Sequence, residues 1–341
     1  MTKRFCSVVA ALAALLVVPI ARAQSSHAFL WTADGGMQDL GVPAGSTDSI
    51  ATSISNSGQV VGYLVNSGGN MTAALWTSAT GWRPLKKGLS SRFSIATGVN
   101  SSGQIVGITD TAQGAQHAFL WTQAHGMQDL GTLGGDFSDA HGINRLGQIV
   151  GESSTSDGFF SHAFSWSQSV GMQDLGTLQG ASSRSVADAV SDKGIVVGGA
   201  TALDNLSVAV LWKADHIHAL GNLGFNGQDD PQSGATGINN AGQVVGSYTT
   251  SITTQPVHAF LWTQTGGVQD LGTLPGATSS SAAGINGSGE VVGSNLMPDG
   301  SSQAFVWTSI SGMKALGTLG GPTSVALGIN DAGQVVGYST P

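Results

Sequence analysis

Residues 258–263 read His-Ala-Phe-Leu-Trp-Thr, and the same six residues stand at 27–32 and 117–122. Degenerate copies continue the series, so that Trp31, Trp76, Trp121, Trp166, Trp212, Trp262 and Trp307 follow one another at intervals of 45, 45, 45, 46, 50 and 45 residues. A second signature, Gly-Ile-Asn-x-x-Gly-Gln-Val-Val-Gly, centres on Gly58, Gly103, Gly147, Gly194, Gly242, Gly289 and Gly333. Both signatures count seven units. A period of this size marks a repeat architecture, in which each unit buries its apolar surface only against its neighbours.

Each unit reads as two β-hairpins. In Phe119–Thr122 followed by Gly126–Leu130, a short aromatic-rich run meets a Gly-containing turn and a second short run. In residues 237–246, Asn239 begins a turn, Gly242 takes the position that calls for positive φ, and Val244-Val245 starts a β-branched strand. No stretch after the N-terminal segment holds a 3.6-residue apolar period. Runs such as Ala-Phe-Leu-Trp and Val-Val are apolar on both faces, so each small sheet needs cover on both sides. Four short strands per unit, seven times over, predict an all-β fold: a seven-bladed β-propeller of about 45-residue repeats. The alternative is a β-solenoid, whose ends need atypical capping units. Both terminal units here are good copies, which favours a closed ring.

The small residues before the Asn turn, as in Ala96-Thr97-Gly98 and Ala282-Ala283-Gly284, suit the crowded innermost strand of a blade. The hairpin ending in Gln-Asp-Leu-Gly is then outermost. The chain opens with an outer hairpin at 27–40 and finishes with an inner one at 324–338. The predicted ring therefore closes by pairing N- and C-terminal strands within one blade, which ties down both termini.

Lys3 and Arg4 precede an apolar stretch from Val8 to Ile20 that ends in Ala21-Arg22-Ala23, the pattern of a signal peptide cleaved near Ala23. The expected organisation is a signal peptide at 1–23 and a single seven-repeat domain at 24–341, secreted to the periplasm or the exterior. The lone cysteine, Cys6, leaves with the signal, so the exported chain has neither a disulfide nor a thiolate nucleophile. The apolar stretch is short for a membrane span, and no later stretch is longer. Charged residues are only 9% of the chain and the net charge is −8, becoming −11 without Lys3, Arg4 and Arg22. Such a surface argues against nucleic acid or another polyphosphate as partner.

Together, His-Ala-Phe-Leu-Trp-Thr, Met-Gln-Asp-Leu-Gly-Thr-Leu-Gly-Gly and Gly-Ile-Asn-x-x-Gly-Gln-Val-Val-Gly, repeated behind a signal peptide, resemble the HAF-repeat family of bacterial extracellular proteins. The resemblance covers the whole chain after the signal. It implies secretion and a repeat fold, and it brings no catalytic residues. The unit at 71–88 departs most from the pattern, with Thr72-Ala73-Ala74 for His-Ala-Phe and Trp82-Arg83-Pro84-Leu85 for Met-Gln-Asp-Leu.

Chemistry is sparse. The recurrence of His27, His117, His162 and His258 at one repeat position suits hydrogen bonding within the scaffold rather than metal binding. His216 and His218 alternate on one strand, but no Cys or Glu nearby completes a zinc set. There is no nucleophile elbow and no EF-hand loop. No cofactor or metal is expected. A propeller glycoside hydrolase or polysaccharide lyase would need carboxylates converging at a channel mouth, and the unrepeated acids Asp136, Asp139, Asp188, Asp229 and Asp230 are the candidates.

The favoured reading is a secreted, non-catalytic binding or surface scaffold for a glycan or protein ligand. In repeat proteins the interaction positions are those that do not recur, which points to two places. One is the outer hairpin with Trp82, Arg83, Lys86, Lys87 and Arg92, where an aromatic beside cations suits a sugar or an anion. Its alternative reading is an edge strand protected by charge. The other is the loop 226–234 with Asp229 and Asp230, in the unit whose spacing stretches to 50.

One further pattern is structural. His27, His117, His162 and His258 occur in the same four units as Asp39, Asp129, Asp174 and Asp270, always 12 residues apart. A hairpin centred on residue 33 would pair Phe29 with Met37 and set His27 opposite Asp39, within cross-strand reach.

Overall fold

The computed structural model describes residues 25–85, 89, 93–157, 160–180, 183–202, 206–214, 216–221, 232–249 and 256–341. The predicted signal peptide therefore lies outside the described residues. Those residues form 28 strands and no helix. The strands fall into sets of four, which we number 1 to 7: residues 46–84, 94–129, 134–174, 185–219, 233–270, 279–315, and 324–339 together with 27–39. Within each set four antiparallel strands lie side by side, here called a to d, in chain order in sets 1 to 6. Sets 2 and 3 are joined into one eight-stranded sheet by a parallel bridge between Phe137 and Gln116. In set 7 the a and b strands are Ser324–Ile329 and Val335–Ser339. Strand c is His27–Thr32, paired through Phe29 with Gly337 and Trp31 with Val335.

Successive sets pack face against face, and each apolar cluster draws on two of them. Val245, Ala259 and Leu261 of set 5 meet Ala282, Val291 and Phe305 of set 6. Ala28 and Val336 of set 7 meet Ala51, Val60 and Trp82 of set 1. This explains strands that are apolar on both faces: Ala28 and Phe29, Ala118 and Phe119, and Ala304 and Phe305 are all fully buried. Each a strand touches the a strands of the preceding and following sets, Ser324–Ile329 against Ser46–Ile54 included. A cavity of about 220 Å3 is lined by the equivalent three residues of every set, from 54–56 to 329–331.

The signature residues are consumed in this arrangement. Asn100 Oδ1 accepts the N–H groups of Ser102 and Gln104, each at 3.1 Å, which closes the a–b turn. Its Nδ2 donates to Gln104 Oε1 at 2.7 Å and to the Asn144 carbonyl of the next set at 3.1 Å. Asn144, Asn239 and Asn286 make the same bond to the following set, and Asn330 makes it to the Ser55 carbonyl of set 1 at 3.1 Å.

A serine in each a strand does the complementary work. Ser49, Ser94, Ser138, Ser185, Ser233, Ser280 and Ser324 each accept the buried N–H of an alanine at the second or third position of strand c in the preceding set. Ser324 is fully buried and its hydroxyl also donates to the Gly317 carbonyl at 2.7 Å. Replacing Ser324 by Ala orphans the Ala304 N–H as well as that carbonyl, so we expect a loss of about 1–3 kcal/mol, read from urea denaturation. An unchanged midpoint would show that this bond contributes nothing.

Candidate functional site

Sequence-predicted positions divide into three groups. The His–Asp partners are in hydrogen-bond contact: His27 Nδ1 lies 2.8 Å from Asp39 Oδ2, His117 Nδ1 2.9 Å from Asp129, His162 Nδ1 2.8 Å from Asp174, and His258 Nδ1 2.9 Å from Asp270. The hairpin register differs from the expected one. Asp39 pairs with Phe29 and Met37 with Trp31, so His27 reaches Asp39 diagonally rather than from directly opposite. The three-residue connection is Ala33-Asp34-Gly35, so the turn centres on residue 34, one later than expected. Each aspartate also accepts an N–H two residues on, as Asp174 Oδ1 does from Gly176 at 2.7 Å. The pair thus pins the exit of strand d. Asp174 is 42% exposed, so a double-mutant cycle on His162→Ala and Asp174→Ala should return a coupling of about 0.5–1 kcal/mol. Strict additivity would mean that the two side chains do not interact.

The predicted ligand-binding hairpin requires a correction. Trp82 is only 7% exposed and packs with Ala51, Ile54, Val60 and Leu64 in the core between sets 7 and 1. Register explains it: Trp82 pairs with Trp76 and occupies the position that Met37 takes in set 7, on the covered face of the outer strand. Arg83, the next residue, is exposed. Lys86, Lys87 and Arg92 lie outside the described residues, as do Asp229 and Asp230. The end of the predicted 226–234 loop is strand, since Ser233–Ile238 is strand a of set 5.

Unrepeated ionisable side chains do converge, at the seam between sets 3 and 4. Asp139 and His141 lie on strand a of set 3, Glu152 on its strand b, Asp188 on strand a of set 4, and Arg184 just before that strand. His141 Nδ1 is 3.1 Å from Asp188 Oδ1, and its Nε2 is 3.6 Å from Asp139 Oδ2. Arg184 Nη2 lies 2.8 Å from Glu152 Oε2, and Glu152 is almost wholly buried. Burial pushes the His141 pKa down, but the bonds to Asp139 and Asp188 and their negative charges outweigh it, so the ring stays protonated well above its usual range. Burial raises the Asp188 pKa, as does the Glu152 charge, against the opposing pull of His141 and Arg184.

Register locates the signal for this cluster. His141 and Asp188 are the bulged residues of their a strands, where sets 2 and 5 carry Thr97 and Thr236. Those threonines donate to the Ala140 and Ala282 carbonyls of the next set. A side chain that bonds the backbone of the next set has been replaced in two adjacent sets by one that bonds its counterpart. Asp139 and Asp188 were candidates from sequence, whereas His141, Arg184 and Glu152 were not. Aligning the repeats by their bulge exposes His141 and Asp188 together. Asp136 is exposed and takes no part. Glu290 stands at the Gln position of the signature and accepts from Asn286 Nδ2 at 2.6 Å. Among the described residues no group of three His, Cys, Asp or Glu side chains is arranged to hold a metal ion. No helix there is long and apolar enough to cross a membrane.

No protein-family model matches the chain, and no curated protein does. Solved structures do resemble it. A putative TolB from Agrobacterium tumefaciens is 15% identical with a TM-score of 0.50, the match covering 83% of this chain and 97% of that one. A puromycin hydrolase mutant complexed with PGG is 10% identical with a TM-score of 0.56, over 86% of this chain and 50% of the hydrolase. A fungal lectin from Aleuria aurantia, described as a six-bladed β-propeller, is 13% identical with a TM-score of 0.46, over 88% of this chain and 95% of the lectin. At such identities the likeness is one of fold: the chain is an all-β protein of the β-propeller class.

Proposed function

We propose that the chain is a seven-bladed member of the HAF-repeat family, exported after cleavage near Ala23, that acts as a non-catalytic binding scaffold for a glycan or protein ligand. In this reading residues 24–341 form one domain, and the first and last strands close its ring. The Asn330–Ser55 bond and the neighbouring a strands of sets 7 and 1 support closure. Deleting residues 327–341 should then lower the melting temperature of the whole domain in one cooperative transition. Loss confined to a minor phase would argue for an open array. Mass spectrometry of the exported chain should find Gln24 first.

The observation that carries the binding reading is a division of labour. The recurring Asn, Ser, His and Asp side chains are engaged in holding strands and sets together, while ionisable groups that do not recur are left to distinguish individual seams. A binding screen of glycans and peptides on the exported chain tests it, and silence across both libraries would overturn it.

One observation favours a glycoside hydrolase or polysaccharide lyase as the second reading. Asp139 and Asp188 meet at one seam, and the Asp188 carboxyl is held above its ordinary pKa, as a general acid requires. The His141 ring, however, lies between the two carboxylates and occupies the space where a glycosidic bond and a water would have to sit. Turnover of a bound glycan that disappears in Asp188→Asn would establish this reading in place of the first.

A further inference from the structure

Between sets 4 and 5 lies a groove of about 1210 Å3 whose described lining is basic, in a protein that is acidic. The chain carries 20 acidic and 12 basic residues, yet no described residue lining this groove is a carboxylate. From set 4 it receives Lys193, Lys213 and His218, all exposed; from set 5 it receives Gln243, Trp262 and Gln264. Neither lysine makes an ion pair among the described residues. Asp192, next to Lys193, has its carboxylate occupied: it accepts from the Arg145 N–H at 2.9 Å and from Nδ2 of Asn240, a lining residue, at 2.8 Å.

The three basic residues are departures from the repeat. Where set 4 has Lys193, sets 2 and 6 have Ser102 and Ser288. Lys213 stands where sets 2 and 5 have Thr122 and Thr263, and His218 where they have Gln128 and Gln269. Local geometry assists. The c–d connection of set 4 is two residues rather than three, with Ala214 at φ 50°, so Lys213 and His216 pair directly at its base. The inference rests on the binding-scaffold reading and names a ligand class for it.

We propose that this groove binds an acidic oligosaccharide, with Lys193 and Lys213 on the sugar carboxylates and the exposed amide of Gln264 on a hydroxyl group. The lysines supply charge, and no carboxylate among the described lining residues competes for it. Trp262 contributes apolar surface for a sugar face. The volume is that of a site for a ligand larger than a single small anion, and the exposed Gln264 amide suits the hydroxyl groups that such a ligand carries between its charges.

Calorimetry on the full exported chain tests the assignment with trigalacturonate, its methyl ester and inorganic phosphate. Trigalacturonate should bind. The ester should bind at least about tenfold more weakly, the equivalent of one charge-assisted contact. Salt at about 0.5 M should weaken binding, because the groove is open to solvent. The double variant Lys193→Gln/Lys213→Gln should lose at least about tenfold in affinity at an unchanged melting temperature, since both side chains are exposed. Equal affinity for the ester, undiminished affinity in the double variant, or phosphate binding as tightly as the trimer would each overturn the proposal. If trigalacturonate fails while another glycan or a peptide binds, this assignment falls and the scaffold reading stands; if nothing binds, both fall.

Discussion

Replacing Gly293 by Ala should prevent folding or remove more than about 4 kcal/mol. Gly293 lies on strand b of set 6, opposite Ala282, where the register shifts at a bulge between Ala282 and Gly284. At that bulge the Ser281 carbonyl turns into the space above Gly293, and a Cβ built there runs into the carbonyl oxygen and carbon. The obstacle is backbone held by pairing on both sides, so it cannot swing away as a side chain would. The same approach occurs in every set, Gly107 under the Ile95 carbonyl and Gly198 under that of Val186 among them. Gly234→Ala is the control, because nothing lies within 4 Å of a Cβ at that position. It should cost less than about 1 kcal/mol. Urea denaturation of both variants decides the matter: a Gly293→Ala midpoint equal to that of Gly234→Ala would show that the bulge relaxes.

This glycine shows why the repeat was legible. It ends the signature Gly-Gln-Val-Val-Gly, and a position that only glycine can fill leaves a mark at every copy. The Asn turn, the buried Ala-Phe pair and the inner placement of small residues were readable for the same reason: each is a local demand met seven times. The outer hairpin register differs from expectation because the three-residue turn sits one residue later than its composition suggests, and that step slides every cross-strand partner by two. Trp82 was misassigned because its unit replaces Met by Trp at a covered position, and a large aromatic reads the same whether buried or exposed. The charged seam was half legible. Asp139 and Asp188 stood out as unrepeated, but their meeting through His141 depends on which strands of adjacent sets abut at the bulge, a relation that no single repeat contains.

That seam carries the other large effect. Converting His141 to Thr, the residue of set 2 at that position, should cost about 3–5 kcal/mol near neutral pH. Removing one partner from a buried charge cluster leaves the others uncompensated. Asp139, Glu152 and Asp188 would share Arg184 alone, and Asp139 and Glu152 already face each other across strands a and b. The dependence on pH distinguishes this from loss of packing. The folded pKa of His141 is raised, so its contribution is fully present below the unfolded value of 6.5 and is lost as pH rises through the folded one. Asp188 is also raised, which means that the fold favours its protonated form and that stability falls as pH climbs from 3.8 through its folded value. Both groups slope the same way. The wild-type seam should therefore be strongest in mild acid and weaken into the alkaline range, and the gap between wild type and His141→Thr should narrow as pH rises above 6.5. The combined variant Asp139→Ile/His141→Thr/Asp188→Thr, which restores the residues of set 2 at these positions, should recover most of the loss, because the buried charge that remains, Glu152, keeps its partner Arg184 and no carboxylate is left unpaired beside it. Urea midpoints for the three proteins across pH supply the check: a His141→Thr deficit that stays constant with pH, or a combined variant no better than the single one, would show that the cluster is held by packing and not by its charges.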